Sequence, residues 1–124
     1  MKSAATVCLI PELAKGPFLY SGDLVDSCRR AAEAGFDAVE LLIPSADAVS
    51  PATLGKLLGD HGLKLSGIST GAAFLLEHLH LCCPEPDRRR RALAFAERIV
   101  DLAGALGGFA IVGVVKGMVE PGVE

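Results

Sequence analysis

Ala34-Gly35-Phe36-Asp37-Ala38-Val39-Glu40-Leu41-Leu42-Ile43 reads as a helix end followed at once by a strand. Gly35 suits the position just past the last helical turn, because it takes the left-handed backbone conformation that closes such a turn. Ala38 to Ile43 is a short apolar run of strand length. Glu40 interrupts it. Buried without a partner under an apolar helix, that carboxylate would cost on the order of several kcal/mol, so one end of the strand is expected to face a polar cavity.

The same step recurs along the chain. Ala5 to Ile10 is a first strand stopped by Pro11, and a long loop to Gly22 carries Gly16-Pro17, Phe18 and Tyr20. Asp23 caps a helix running to Ala34, with Leu24, Cys28, Ala31 and Ala32 on its apolar face and Arg29, Arg30 and Glu33 toward solvent. Ser50-Pro51 opens a second helix, striped by Leu54, Leu57 and Leu58 and ended by Gly62. Lys64 to Thr70 is a third strand, where the small residues Ser66 and Gly67 leave room on one face. Ala72 to His80 reads equally as a helical turn or an extended loop. Pro86 starts the longest helix, with Leu93, Ala96, Val100 and Ala103 at helical spacing. Gly107-Gly108 stops it, Phe109 to Val115 is the fourth strand, and Lys116-Gly117 leads into a tail containing Pro121 and Gly122.

Alternating strands and helices mean parallel strands joined by right-handed crossovers. A doubly wound sheet would cover both faces and leave Glu40 and Ser66-Gly67 no polar space. A barrel puts the helices outside and lets polar residues point into the upper lumen. A complete barrel takes about 250 residues, and this chain has 124. The expectation is therefore one domain over residues 1–124, half of a (β/α)8 TIM barrel with four parallel strands and three helices.

Composition bounds its surroundings. The chain is 51% apolar, yet no uninterrupted apolar run approaches the roughly 18 residues of a membrane span, so the surplus is assigned to a core or a partner. Lys2 is the only charge before the run ending at Pro11 and Glu12, unlike a secretory signal. Cys8, Cys28, Cys82 and Cys83 show neither a Cys-x-x-Cys pair nor a disulfide framework. These features predict a cytoplasmic protein with no membrane partner. The net charge of −3 gives no general attraction to nucleic acid. Arg88 to Arg91, flanked by Glu85, Asp87 and Glu97, reads as a solvated face.

Two stretches resemble the xylose isomerase-like sugar-phosphate isomerases and epimerases. They are Leu24-Val25-Asp26 with Ala31 through Leu41, and Leu81-Cys82-Cys83-Pro84 through Leu93 with Leu102-Ala103-Gly104-Ala105-Leu106-Gly107. Ile111 to Gly117 is similar to the family's fourth strand. The resemblance covers nearly the whole chain but only the first half of that barrel. It implies a divalent-metal enzyme, using manganese or magnesium, that shifts a proton beside a ketose carbonyl with two glutamates as acid and base. In most such enzymes a Glu, Asp, His, Glu ligand set comes from the last four strands, so the resemblance implies no catalytic residue, metal ligand or cofactor in this chain alone. The family's DNA-repair branch takes histidines from its third and fourth strands, where this chain offers Ser69-Thr70 and Lys116.

Four residues are candidates for binding a sugar: Glu40, Ser69, Thr70 and Lys116. The alternative for Glu40 is an ion pair with Lys64, for Ser69 and Thr70 plain packing, and for Lys116 a solvated tail. His78-x-His80 has a spacing compatible with metal but no third ligand nearby. Two functions follow: a contribution to a sugar isomerase or epimerase, completed by a missing second half, or a noncatalytic half-barrel that homodimerises. The open sheet face and the apolar first and fourth strands, taken as free edges, favour self-association.

Overall fold

Gly35 takes φ +88°, and the helix-to-strand step recurs at Gly62 (+65°) and Gly107 (+74°). In the computed structural model, which describes residues 1–119 and 121, these junctions feed parallel strands. The strands are β1 (Ala4–Cys8), β2 (Tyr20–Ser21), β3 (Ala38–Leu42), β4 (Lys64–Ser69) and β5 (Phe109–Ile111). They form one sheet in the order β2-β1-β3-β4-β5, every pair parallel. The helices are α1 (Leu24–Glu33), α2 (Pro51–Asp60), α3 (Ala72–Glu77) and α4 (Pro86–Ala105). Asp23 caps α1 by accepting the Asp26 N–H at 2.7 Å, and Ser50 caps α2 through the Thr53 N–H at 3.4 Å.

The alternation of each strand separates two faces. Ala5, Val7, Val39, Leu41, Leu65 and Ile68 are buried in the main core with Cys28 and Ala31 of α1, Leu54 and Leu58 of α2, and Ile99, Leu102 and Ala103 of α4. Among the described residues, the opposite face has no such helix layer. At its strand ends a smaller cluster of Cys8, Ile10, Leu42 and Ala72 is covered by Leu13 and Phe18.

Four expectations need correction. The fourth strand is three residues long rather than seven, because Val114–Lys116 turns into a 3-10 helix with Val115 fully buried against Ala73, Leu79 and Ala92. The buried stripe of α4 is Ala92, Ala96, Ile99, Leu102 and Ala103, whereas Leu93 and Val100 are 50% and 52% exposed. The first strand is not a free edge, since Tyr20 and Ser21 pair with Val7 and Cys8. Finally, the Ala72–Glu77 segment is a helix, making four in all among the described residues. Of the tail, Gly122 lies outside the described residues.

The amino terminus is tied to the α1–β3 junction. Asp37 Oδ2 accepts from the Ser3 N–H at 2.8 Å, and Lys2 lies 3.6 Å from its carboxylate. The Ser3 amide, more than the Lys2 charge, holds the Asp37 pKa below its ordinary value of 3.8. A carboxyl with a lowered folded pKa stabilises the fold above its unfolded pKa and loses that contribution as pH falls through the folded value. The difference in Tm between the wild type and Asp37→Asn is expected to be full at neutral pH and to shrink as the pH falls below about 4, as calorimetry across that range would read.

Candidate functional site

Parallel register sets the site. Thr6, Glu40 and Gly67 lie opposite one another on β1, β3 and β4, and Leu42 lies opposite Ser69 one pleat further on. All stand on the face away from the main core. Together with Phe18 and Gly71, the side chains of Thr6, Glu40, Leu42 and Ser69 line a cleft of about 260 Å³ at the carboxyl ends of the strands. A larger hollow of about 470 Å³ lies outside the helix layer, between Asp47, Ser50, Arg98 and Asp101. Its lining comes from the segment between β3 and α2 and from α4, and its one cation is engaged, since Arg98 Nη1 donates to Asp47 at 2.9 Å. The smaller cleft is where barrel folds place their chemistry.

Within it, Glu40 is half-buried, and among the described residues it has neither a hydrogen-bond donor nor an ion-pair partner. The expected alternative, a pair with Lys64, does not form, because Lys64 is exposed and opposite Ala38 while Glu40 is opposite Gly67. A bulge between Val39 and Glu40 produces that shift, and Ser66 occupies it by donating to the Val39 carbonyl at 3.0 Å. The room expected over Gly67 is taken by Ile111, whose Cδ1 would lie 2.8 Å from an added Cβ.

Ser69 Oγ accepts from the Gly71 N–H at 3.1 Å, which leaves its hydroxyl hydrogen free to donate. Thr6 Oγ1 likewise accepts from the Leu19 N–H at 3.0 Å. The arrangement is thus one bare carboxylate flanked by two orientable hydroxyls, suited to a polyhydroxy ligand. Thr6 was not among the sequence candidates, although its two-residue alternation with Ala4 and Cys8 sets it on the same face.

The other two candidates are placed elsewhere. Thr70 is fully buried, and its hydroxyl donates to the Ile111 carbonyl at 2.9 Å, so it fixes β5 and does not reach the cleft. Lys116 is exposed and lines a neighbouring apolar hollow of about 270 Å³ with Phe74, Val114 and Met118. Val114 is the wall between the two.

His78 and His80 flank Phe74, at ring-centroid distances of 6.2 and 5.9 Å, but His78 is exposed and His80 buried. Among the described residues no group of three or more His, Cys, Asp or Glu is arranged to hold a metal ion, and Glu40 is the only acid lining the cleft. Among the described residues, the cleft thus offers a single carboxylate to a cation, which by itself does not make a divalent-metal centre. The arginine run is internally engaged: Arg88 donates to the His78 carbonyl at 2.6 Å, Arg89 to the Cys83 carbonyl at 2.7 Å, Arg91 to Glu77 at 2.7 Å, and Arg90 to Asp87.

Parallel strands, outer helices and polar side chains collected at the strand ends define the chain as a segment of a β/α barrel. The family model of the xylose isomerase-like TIM barrel matches residues 28–124, and the chain belongs to that family. A search of curated protein sequences finds no match. Among solved structures it is similar to an AP endonuclease, family 2, from Brucella melitensis, with TM-score 0.59 and 22% identity over 95% of this chain and 43% of that one. It is also similar to a sugar phosphate isomerase/epimerase from Parabacteroides distasonis, with TM-score 0.55 and 16% identity over 97% of this chain and 41% of that one. The chain therefore spans less than half the length of either structure, and the likeness is one of fold.

Proposed function

We propose that this chain forms the first half of the substrate cleft of a sugar or sugar-phosphate isomerase or epimerase, in which residues outside the chain supply the divalent-metal site. The observation that carries the reading is the convergence of Glu40, Ser69 and Thr6 on one cleft at the strand ends. The Glu40 carboxylate accepts hydrogen bonds from sugar hydroxyls, the Ser69 and Thr6 hydroxyls donate to ring or carbonyl oxygens, and Phe18 and Leu42 cover the apolar C–H face. Lys116, separated from Glu40 by Val114, is assigned to the phosphate end of a phosphorylated substrate. None of these residues is given a proton-transfer role.

The test is an amide-resolved NMR titration of the purified chain with fructose and fructose 6-phosphate. Perturbations are expected at Thr6, Glu40, Ser69 and Gly71. Glu40→Gln is expected to weaken binding about tenfold or more, the loss of hydrogen bonds to a charged group. Lys116→Met is expected to weaken only the phosphorylated ligand. Equal binding by wild type and Glu40→Gln, or perturbations elsewhere, would refute the assignment.

A second reading, a noncatalytic half-barrel that pairs with itself, is favoured by the exposed apolar residues at and after β5. Phe109 is 77% exposed, Val112 55% and Val114 48%.

A further inference from the structure

The arginine run, Arg88 to Arg91, belongs neither to the core nor to the cleft, yet it reaches back to the loop that joins α3 to α4. His78 ends α3 with φ 53° and ψ 31°, a left-handed conformation that residues with a side chain rarely adopt. Arg88 holds the His78 carbonyl at 2.6 Å, Arg91 holds Glu77 at 2.7 Å, and Arg89 donates to the Cys83 and Pro84 carbonyls, both at 2.7 Å. Reversed at His78 and gripped at both ends, the loop presents His80, Leu81 and Cys82 in succession to the turn at residues 113–117. The Leu81 N–H donates to the Val115 carbonyl at 2.8 Å, and the Cys82 thiol donates to the Lys116 carbonyl at 3.0 Å. Beside them the His80 ring lies against Gly117, where an added Cβ would meet Nδ1, Cγ and Cβ of the histidine at 2.2, 2.6 and 2.9 Å. His80 is buried, and its Nδ1 has no hydrogen-bond partner among the described residues.

We propose that His80 is a positioning residue for the cleft: it seats Gly117 and so fixes Val114, which walls the Glu40 cleft, and Lys116, which lines the next hollow. Glycine sets little conformational preference of its own, so the unusual backbone of Gly117, φ 75° and ψ −173°, has to be held from outside. Val115 anchors the middle of the turn against Ala73, Leu79 and Ala92, and rotation about that anchor is the freedom that the His80 contact removes. Val114 and Lys116 ride on the same turn, so its displacement moves the cleft wall and the cation together. The buried Nδ1 makes no hydrogen bond that would explain the histidine, and its contact with Gly117 does. Arg88, Arg89 and Arg91 are the support of this device, since they hold the loop that carries His80. The assignment rests on the sugar-binding reading for what the cleft holds, but every contact in it lies within residues 77–117.

His80→Ala keeps only the Cβ of the contact, whereas His80→Asn keeps atoms at the positions of Cβ, Cγ and Nδ1. Both lose the packing of the ring on Phe74, 5.9 Å away between centroids, and both are expected to lower the urea midpoint. In amide-resolved titrations, His80→Ala is expected to weaken fructose 6-phosphate about tenfold or more, and fructose by less, while His80→Asn stays within about twofold of wild type. Without ligand, exchange of the Leu81 amide relative to that of Ile99 is expected to quicken about tenfold in His80→Ala alone. If His80→Ala does not fold, Arg89→Met, at an exposed side chain, carries the test, because releasing the loop is expected to quicken Leu81 and to weaken the two sugars in the same order. Binding that falls equally in both His80 variants, in step with the urea midpoint, reduces the ring to packing and overturns the proposal. Binding or Leu81 exchange left unchanged by His80→Ala overturns it as well, with the sugar reading intact. A wild-type chain that binds neither sugar overturns the sugar reading itself, and the cleft role of His80 with it, even where Leu81 exchange responds as described.

Discussion

Gly117→Ala is expected to destabilise the chain by about 2–4 kcal/mol, from overpacking together with a backbone conformation open essentially to glycine alone. Gly117 has φ 75° and ψ −173°. A Cβ built there falls 2.2 Å from His80 Nδ1 and 2.6 Å from His80 Cγ. The ring has little room to retreat, because it is buried and packs edge-on against Phe74 at 5.9 Å. The conflict is resolved only by lifting the Val114–Lys116 turn, which breaks the 2.8 Å bond from the Leu81 N–H to the Val115 carbonyl and uncovers Val115. Because Val114 walls the Glu40 cleft, the same substitution is expected to weaken sugar binding without touching a polar group. Urea unfolding checks the stability and faster Leu81 amide exchange locates the damage. Gly104→Ala is the control: nothing lies within 4 Å of its added Cβ, and in the last turn of α4 it should be neutral or stabilise by up to about 0.5 kcal/mol.

The architecture was legible because it is written in local rules. Gly35, the Asp23 and Ser50 caps, and the apolar runs after each glycine each fix a junction, and repeated junctions imply parallel strands. Glu40 was legible as an exception, since nothing on the helix-facing side of a barrel strand accommodates a carboxylate. What escaped depends on contacts far apart in sequence. Thr70 and Ser69 are adjacent and chemically alike, yet one hydroxyl is committed to Ile111 across the sheet and the other opens onto the cleft. The missing Glu40–Lys64 pair follows from register, since Lys64 falls opposite Ala38, and the bulge that sets Glu40 opposite Gly67, held by Ser66, has no sequence signature apart from a polar residue in a strand. The run Phe109 to Val115 is apolar throughout, so no alternation marked where β5 ends and the turn begins. Tyr20–Ser21 is too short for a periodic signal, and its pairing with β1 changes which edge of the sheet is free.

Helix α4 supplies the second large effect, because two neighbouring residues of similar chemistry are expected to behave oppositely. Leu93 and Val100 complete a helical repeat on paper, but a repeat of apolar residues fixes a stripe without fixing which of two adjacent stripes faces the sheet. The observed stripe is rotated by about one residue, onto Ala92, Ala96, Ile99, Leu102 and Ala103. Small alanines at the contact let α4 approach the sheet closely, and the bulk of that contact is left to Ile99 and Leu102. Ile99 is fully buried in the main core, whereas Val100 is 52% exposed. Ile99→Ala removes three buried carbons from a site hemmed in by strands, and large-to-small changes of this kind cost about 2–5 kcal/mol. For a chain of this size that corresponds to a fall in Tm of roughly 10 °C or more. Val100→Ala removes exposed carbons and gains helix propensity, so its effect should stay within about 0.5 kcal/mol of zero. Thermal unfolding of the two variants at one protein concentration separates them. If Val100→Ala proves the more damaging of the two, α4 packs on the sheet by the stripe that its spacing alone suggested.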